Sequence, residues 1–243
     1  MIIKRLFDIG LSLFGLLVFT PLLIIICLLI LLEDQSSPFY IAKRVGKNGT
    51  IFKMIKLRSM IKNADKSGVD STSSYDSRIT KVGRYIRRYK LDEISQLWNV
   101  LKGDMSLVGP RPNVEAETNI YSSEEKKILN IKPGITDFSS IIFSDEGEIL
   151  SNYDDPDLAY NQIIRPWKSR LGILYIDKRS FSLDFKLILL TAIALISKKT
   201  SIKYIVNLLI DYNEDNKLIE ACKREKKLQP FPPPGFTEIV NSR

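Results

Sequence analysis

From Ile9 to Leu32 the chain carries no charged residue. That run is long enough for a membrane helix, which needs about 20 apolar residues. It also exceeds the usual ~7–15-residue core of a cleavable signal peptide, and no small-residue cleavage site follows it. Pro21 falls near its middle, where it removes a backbone donor and crowds the preceding turn, and Thr20 can pair with the freed backbone groups. Positive charge flanks both sides, with Lys4 and Arg5 before the run and Lys43, Arg44, Lys47, Lys53, Lys56 and Arg58 after it. The positive-inside tendency then assigns both ends to the cytoplasm. A plain spanning anchor satisfies the length alone. A helix that enters, bends at Thr20-Pro21 and returns satisfies length and charge together, with two arms of about 18 Å against a hydrocarbon core of about 30 Å.

The 243 residues allow one domain with attachments. An excess of 36 Lys and Arg over 28 Asp and Glu favours an anionic partner, whether phosphate, lipid headgroup or nucleic acid. The membrane segment makes lipid or phosphate the more economical choice, and no nucleic-acid partner is expected. Two cysteines, Cys27 and Cys222, indicate no disulfide framework. The chain has no histidine, so acid, base and metal chemistry falls to carboxylates.

Downstream, Pro38-Phe39-Tyr40-Ile41 and Thr50-Ile51-Phe52, separated by Gly46 and Gly49, predict a small hairpin. The Ser-, Asp- and Gly-rich stretch 63–77 predicts a mobile loop, and a helical pattern begins at Ile79. After Leu91, the spacing of Ile94, Leu97, Trp98 and Leu101 predicts a helix with that face buried, ended by Gly103. A polar helix is expected over 115–129, and turns at Gly109-Pro110-Arg111-Pro112 and Pro133-Gly134. Leu187 to Ile196 is too short to cross a bilayer and reads as a core or mixed interfacial helix. Beyond Lys203 an appended helix and an extended Pro-rich end, Phe231 to Phe236, are expected.

Asp92 and Glu93 stand at the predicted helix start, where backbone N–H groups and the helix dipole favour negative charge. Acidic residues occupy first turns for that reason alone, so the pair is ordinary by itself. Its neighbours are less so: Arg78, Lys81, Arg84, Arg87, Arg88 and Lys90 precede it in one short stretch. Such cations hold phosphate oxygens by charge-assisted hydrogen bonds, or rest on anionic headgroups. Both can hold at once, some arginines serving the membrane while Arg87 faces a substrate. A carboxylate beside a divalent ion can attack phosphorus and form an acyl phosphate without a histidine. Mg²⁺ suits such a site. No Gly-rich P-loop occurs.

Taken in order, the motifs are Lys4-Arg5-Leu6-Phe7-Asp8, Pro21, Phe39-Tyr40 with Arg44-Val45-Gly46, Lys56-Leu57-Arg58-Ser59-Met60, and Arg78-Ile79-Thr80-Lys81-Val82-Gly83-Arg84. Leu91-Asp92-Glu93-Ile94-Ser95-Gln96-Leu97-Trp98-Asn99-Val100 and Lys102-Gly103-Asp104-Met105-Ser106-Leu107-Val108-Gly109-Pro110-Arg111-Pro112 complete the set. Over residues 1–200 this resembles the bacterial sugar transferase family, the monotopic phosphoglycosyl transferases. The resemblance implies a mainly α fold with a small β element: a re-entrant membrane helix over 1–35 and a compact cytosolic catalytic domain with interfacial amphipathic helices over 36–200, to which the chain adds the helical and Pro-rich extension over 201–243. It implies location at the cytoplasmic face of the bacterial inner membrane, among membrane lipids.

The implied reaction moves a phosphosugar from a UDP-sugar to a polyprenyl phosphate such as undecaprenyl phosphate, with Mg²⁺, releasing UMP and initiating glycan assembly. Asp92 is then the nucleophile, and Glu93 the second acid that binds the metal with Asp92 or handles a proton. Arg87, Arg111 and Arg58, with Pro110 and Pro112, match phosphate- and nucleotide-binding positions. Ser95 stands where the family has Pro, and Asp137-Phe138-Ser139-Ser140-Ile141 replaces its Gly-x-Ala-Gln-Val pattern. These departures are what a catalytically silent membrane scaffold would rest on, and the extension leaves room for a homo-oligomer contact.

Overall fold

The computed structural model describes residues 2–64 and 76–241, so most of the loop expected over 63–77 lies outside the described residues. The apolar run forms part of one helix, α1 (Ile2–Asp34), which continues through Pro21 and is apolar and long enough to cross a membrane. Thr20 Oγ1 donates to Leu16 O at 2.6 Å, one turn back. Its two ends are held by the rest of the chain. Lys4 Nζ lies 2.5 Å from Asp184, Arg5 donates to Val100 O and Leu101 O, and Asp8 accepts from Ser106 Oγ at 2.8 Å. At the far end Glu33 accepts from the backbone N–H groups of Lys81 and Val82, and Asp34 pairs with Arg58.

The expected hairpin is present and longer than its two β-prone pieces: β1 (Phe39–Val45) pairs antiparallel with β2 (Ile51–Leu57), in register from Phe39↔Leu57 to Val45↔Ile51. Ala42, Val45, Met54 and Leu57 turn one face of it inward. A second sheet was not legible in the sequence. In it β3 (Ser106–Val108) pairs parallel with β4 (Gly134–Thr136), and three-residue strands show no usable alternation. The two turn motifs meet there, because a Cβ at Gly134 would stand 2.1 Å from Gly109 N.

Helix α2 (Lys81–Arg88) begins at Thr80, whose hydroxyl accepts from Gly83 N at 2.9 Å. The helix expected from Leu91 is different in kind. Leu91–Gln96 is a 3₁₀ turn, and only Leu97–Lys102 is α-helical, as α3, with Gly103 at φ 93° ending it as expected. Its buried face also differs: Ser95, Gln96, Asn99 and Val100 point inward, while Trp98 is 51% exposed. The apolar side faces α1 instead, with Leu97 packed where Gly15 leaves space. Of the inward polar groups, Ser95 and Asn99 bond to β2: Ser95 Oγ donates to Ile55 O at 3.1 Å, Asn99 Nδ2 donates to Lys53 O at 2.7 Å, and Asn99 Oδ1 accepts from Ile55 N at 2.9 Å.

The polar helix expected over 115–129 is broken into α4 (Glu115–Asn119) and a 3₁₀ segment, Glu125–Asn130. Short helices α5 (Phe138–Ile142), α6 (Glu146–Leu150) and α7 (Pro156–Ala159) lead through a π turn into α8 (Arg165–Lys178). Then come α9 (Phe181–Ile196), α10 (Lys198–Asp211) and α11 (Asn216–Lys223). Helix α9 contributes to the core on one side only: Leu187 and Leu190 are buried, whereas Phe185, Leu189 and Ile196 are exposed.

The main core gathers Val100, Phe138, Ile142, Ile164, Leu171 and Leu187. Ile205, Leu209, Leu218 and Cys222 of α10 and α11 belong to that same core. The Pro-rich end is tied down: Phe231 stacks on Trp167 at 4.7 Å, and Pro234 O accepts from Ser122 Oγ at 2.5 Å. A smaller cluster joins Ile26 and Ile30 of α1 to Leu57 and Ile86. It seats α2 beside the last turns of the apolar helix.

Candidate active site

Lys90, at φ 53°, reverses the chain after α2 and delivers Asp92 and Glu93 on the 3₁₀ turn. Ser95 fastens that turn, its hydroxyl lying 3.1 Å from Ile55 O and 3.0 Å from Asp92 O. The serine that replaces the family's proline therefore performs a positioning task by hydrogen bonding. From β2, Lys56 Nζ comes within 3.4 Å of Asp92 Oδ2. From the loop after β3, Arg111 donates to Glu93 Oε1 at 2.9 Å. Among the described residues, the other oxygen of each carboxylate has no hydrogen-bond partner.

Arg87 completes the group from α2, its Nε donating to Ser59 Oγ at 2.9 Å. Its position depends on Gly83 four residues earlier, where a Cβ would sit 1.9 Å from Ser59 O. Nothing but hydrogen fits between α2 and the chain leaving β2. Gly83→Ala is expected to lose about 1–3 kcal/mol of stability through overpacking. It should also lower activity by more than that loss explains, because α2 must move and carry Arg87 with it. Thermal unfolding beside kinetics on the folded fraction checks both.

These residues line one open cleft of about 1900 Å³, well beyond the ~300–1,000 Å³ of ordinary small-molecule sites. Asp92, Glu93, Arg87, Arg111, Pro112 and Arg58 all border it, as do Lys56 and Gln96. Four of the sequence-derived positions are already engaged or lie off the cleft. Arg58 is committed to structure: its guanidinium donates to both oxygens of Asp34 and to Ser36 O, Ser37 O and Met60 O, leaving no hydrogen for a phosphate. Pro110 lies off the cleft, lines a separate small void and packs near Gly172, while its carbonyl accepts from Gly134 N at 3.0 Å. Thr20 and Pro21 belong to α1 and do not border the cleft.

The sequence offers Lys56 as flanking charge and as the first residue of the motif Lys56-Leu57-Arg58-Ser59-Met60, but not as a site residue. Its place in that motif is the available signal. Gln96, 1% exposed with its amide nitrogen unpartnered, lies one 3₁₀ turn after Glu93 and so on the same edge of the turn.

The charges around the cleft act on Glu93. Burial works against the charged form of Glu93, but Arg111, Lys90 and Lys56 outweigh it and hold its pKa below the usual carboxylate range. Burial likewise lowers the pKa of Lys56, against the pull of Asp92. The attraction of Glu93 raises the pKa of Arg111. Because the Glu93 value is lowered on folding, its contribution to stability is present above the ordinary glutamate range and is lost as the pH falls through the lowered value. Arg111→Met removes the largest of the charges that oppose burial, so the Glu93 value rises and the stability lost on acidification is expected to be smaller than in the wild type. Thermal midpoints measured across the acid range for both proteins test the sign.

The donor set fits a hard divalent ion. Mg²⁺ is usually held by one or two carboxylates together with substrate phosphates, and Asp92 and Glu93 supply two adjacent carboxylates with an uncommitted oxygen each. Among the described residues no cluster of three or more carboxylates, cysteines or histidines exists to form an all-protein cage.

Residues 1–198 match the model of the family described as bacterial sugar transferase. The chain belongs to that family. The transferase is 45% identical over 122 residues to a putative undecaprenyl-phosphate N-acetylgalactosaminyl 1-phosphate transferase of Bacillus subtilis, covering 50% of this chain and 68% of the relative. It is 35% identical over 191 residues to the uncharacterized sugar transferase EpsL of the same organism, covering 79% of this chain and 86% of that one. A UDP-N-acetylgalactosamine-undecaprenyl-phosphate N-acetylgalactosaminephosphotransferase of Aeromonas hydrophila is 35% identical over 143 residues, covering 58% of this chain and 34% of the relative. The transferase is thus an enzyme, a phosphoglycosyl transferase, and its segment 199–243 lies beyond the family match.

Proposed function

We propose that the transferase moves a sugar 1-phosphate from a UDP-sugar onto undecaprenyl phosphate at the cytoplasmic face of the bacterial inner membrane, the first step of a glycan assembly. The observation that carries this reading is the placement of Asp92 among Lys56 and Arg87, beside the Glu93–Arg111 pair, in a cleft that is also lined by Gln35, just past the end of the apolar helix. The printed names of the relatives point to the same class of reaction.

In the first step an Asp92 carboxylate oxygen attacks the sugar-bearing β-phosphorus. The bond from that phosphorus to the bridging oxygen breaks, and UMP leaves with the bridging oxygen and its electron pair. The acyl phosphate so formed holds the sugar phosphate on Asp92. In the second step a phosphate oxygen of the lipid attacks the same phosphorus, and the Asp92 carboxylate is released. Lys56, Arg87 and Arg111 surround the phosphoryl oxygens and offset their charge. Asp92 and Glu93, together with the donor phosphates, would hold Mg²⁺, which would supply further charge neutralisation. UMP release by the purified protein, given Mg²⁺, undecaprenyl phosphate and a panel of UDP-sugars, tests the reading. Absence of release with every donor would instead favour a silent scaffold.

The proposed topology is a re-entrant α1. A helix of 33 residues measures about 50 Å at 1.5 Å per residue, ample to cross a ~30 Å core. Yet both of its ends are bonded to the same polar body, through Lys4, Arg5 and Asp8 at one and Glu33 and Asp34 at the other. A bilayer core between those ends would break one set. The exposure of the apolar side chains Trp98, Phe185 and Leu189 supports interfacial seating of α3 and α9. Cysteines placed before Lys4 and after Gln35 should both be labelled from the cytoplasm. Labelling from opposite sides would mean a spanning helix.

A further inference from the structure

Several of the cations around the cleft are committed to carboxylates. Arg58 and Arg78 are bound to Asp34 and Asp76, and Lys56 and Arg111 face Asp92 and Glu93. Arg84, Arg87 and Arg88 differ: at i, i+3 and i+4 on α2 they share one helix face, all three border the cleft, and among the described residues none has an ion-pair partner. Arg87 is the innermost of them, half-buried beside Ser59, while Arg84 and Arg88 are exposed.

Their helix is built onto the end of the apolar one. Glu33, in the last turn of α1, caps the first N–H groups of α2, and Ile86 packs against Ile26 and Ile30. Tyr85 and Tyr89, on the flank of α2, are exposed, as aromatic residues at a membrane–water boundary are. An anion tethered in the lipid layer that holds the second half of α1 therefore meets Arg84 and Arg88 before it meets Arg87 or Asp92.

We propose that Arg84 and Arg88 form an entry subsite for a lipid-borne phosphate monoester, which passes from them to Arg87 beside Asp92. The inference rests on the transferase reading above and names where the acceptor enters. A phosphate dianion suits this face, since guanidinium groups spaced one turn apart can each offer paired N–H donors to its oxygens. A general anionic headgroup offers the same chemistry, and the membrane composition separates the two.

The test uses the full chain in neutral phosphatidylcholine vesicles and in vesicles with added phosphatidylglycerol, comparing wild type with the double variant Arg84→Gln, Arg88→Gln. Three quantities are read: affinity for a short-chain prenyl monophosphate, the single-turnover burst of UMP without acceptor, and the KM for acceptor. The expected result in neutral vesicles is a loss of about tenfold or more in prenyl phosphate affinity, with a matching rise in KM. The burst should be retained, and lysines at the two positions should restore part of the affinity. Unchanged affinity and KM would overturn the subsite, as would a burst that falls in parallel. An effect confined to phosphatidylglycerol vesicles would assign the arginines to headgroups generally and overturn it too. Wild-type protein that binds prenyl phosphate through these arginines but gives no burst with any UDP-sugar would refute the donor reading and leave the subsite standing.

Discussion

Asp92→Asn is expected to reduce UMP release by about 10³-fold or more, equivalent to roughly 4 kcal/mol of lost transition-state stabilisation, with little change in thermal midpoint. The substitution keeps the size of the side chain and an oxygen for Lys56, which stands 3.4 Å from the carboxylate, so the cleft should keep its shape. What it removes is the anionic oxygen that attacks phosphorus. The wild-type protein, incubated with donor alone, should gain the mass of a sugar phosphate on the peptide containing Asp92, and the variant should not. Release of UMP that continued undiminished in Asp92→Asn would refute the covalent mechanism. Glu93→Gln is expected to lose less, about 10²-fold, because it leaves the nucleophile in place while removing one carboxylate of the metal pair and the partner of Arg111. The order of the two variants distinguishes a nucleophile from its supporting acid.

Glu125→Ala should produce the largest loss of stability, about 3–5 kcal/mol, by leaving a buried guanidinium without its counter-charge. Glu125 is fully buried and Arg165 is 2% exposed, and they are joined by two hydrogen bonds of 2.9 and 2.6 Å. Ser169 Oγ and the backbone N–H of Ser122 take up the remaining acceptor positions of the carboxylate. The pair links the 3₁₀ segment Glu125–Asn130 to α8, the helix that also carries Trp167, on whose ring the Pro-rich end is stacked. Chemical denaturation should show the loss. Replacing both residues by Leu and Met should recover part of it, since apolar groups of similar volume leave no unpaired charge. If the single variant unfolded at the wild-type midpoint, the pair would contribute far less than its burial implies.

These two residues mark how unevenly the sequence discloses the molecule. Asp92 was legible because it stands in a long, specific string of motifs, and Arg87, Arg111 and Pro112 from that string do border the same cleft. Arg58 comes from an equally specific motif, but its spacing could not reveal that Asp34, 24 residues earlier, would occupy its guanidinium. Lys56 and Gln96 are ordinary residues in their local patterns, and only the packing of β2 against the 91–96 turn turns them toward the site. The buried face of α3 was misread for a related reason. Apolar periodicity identifies the side of a helix that avoids water, and here that side is taken by α1 while asparagine and serine bind β2.

By itself the sequence determined an apolar N-terminal helix, a hairpin, a mainly helical body and a family, because each rests on local pattern or on contiguous motifs. Tertiary structure alone decided which cations are committed and which remain open to an anion, and it built the buried Glu125–Arg165 pair and the parallel strand contact at Gly109 and Gly134. Those depend on approaches of a few ångströms between residues far apart in the chain. No local periodicity encodes them, since the energy of a charge or a glycine at such a contact is set by the group that arrives opposite.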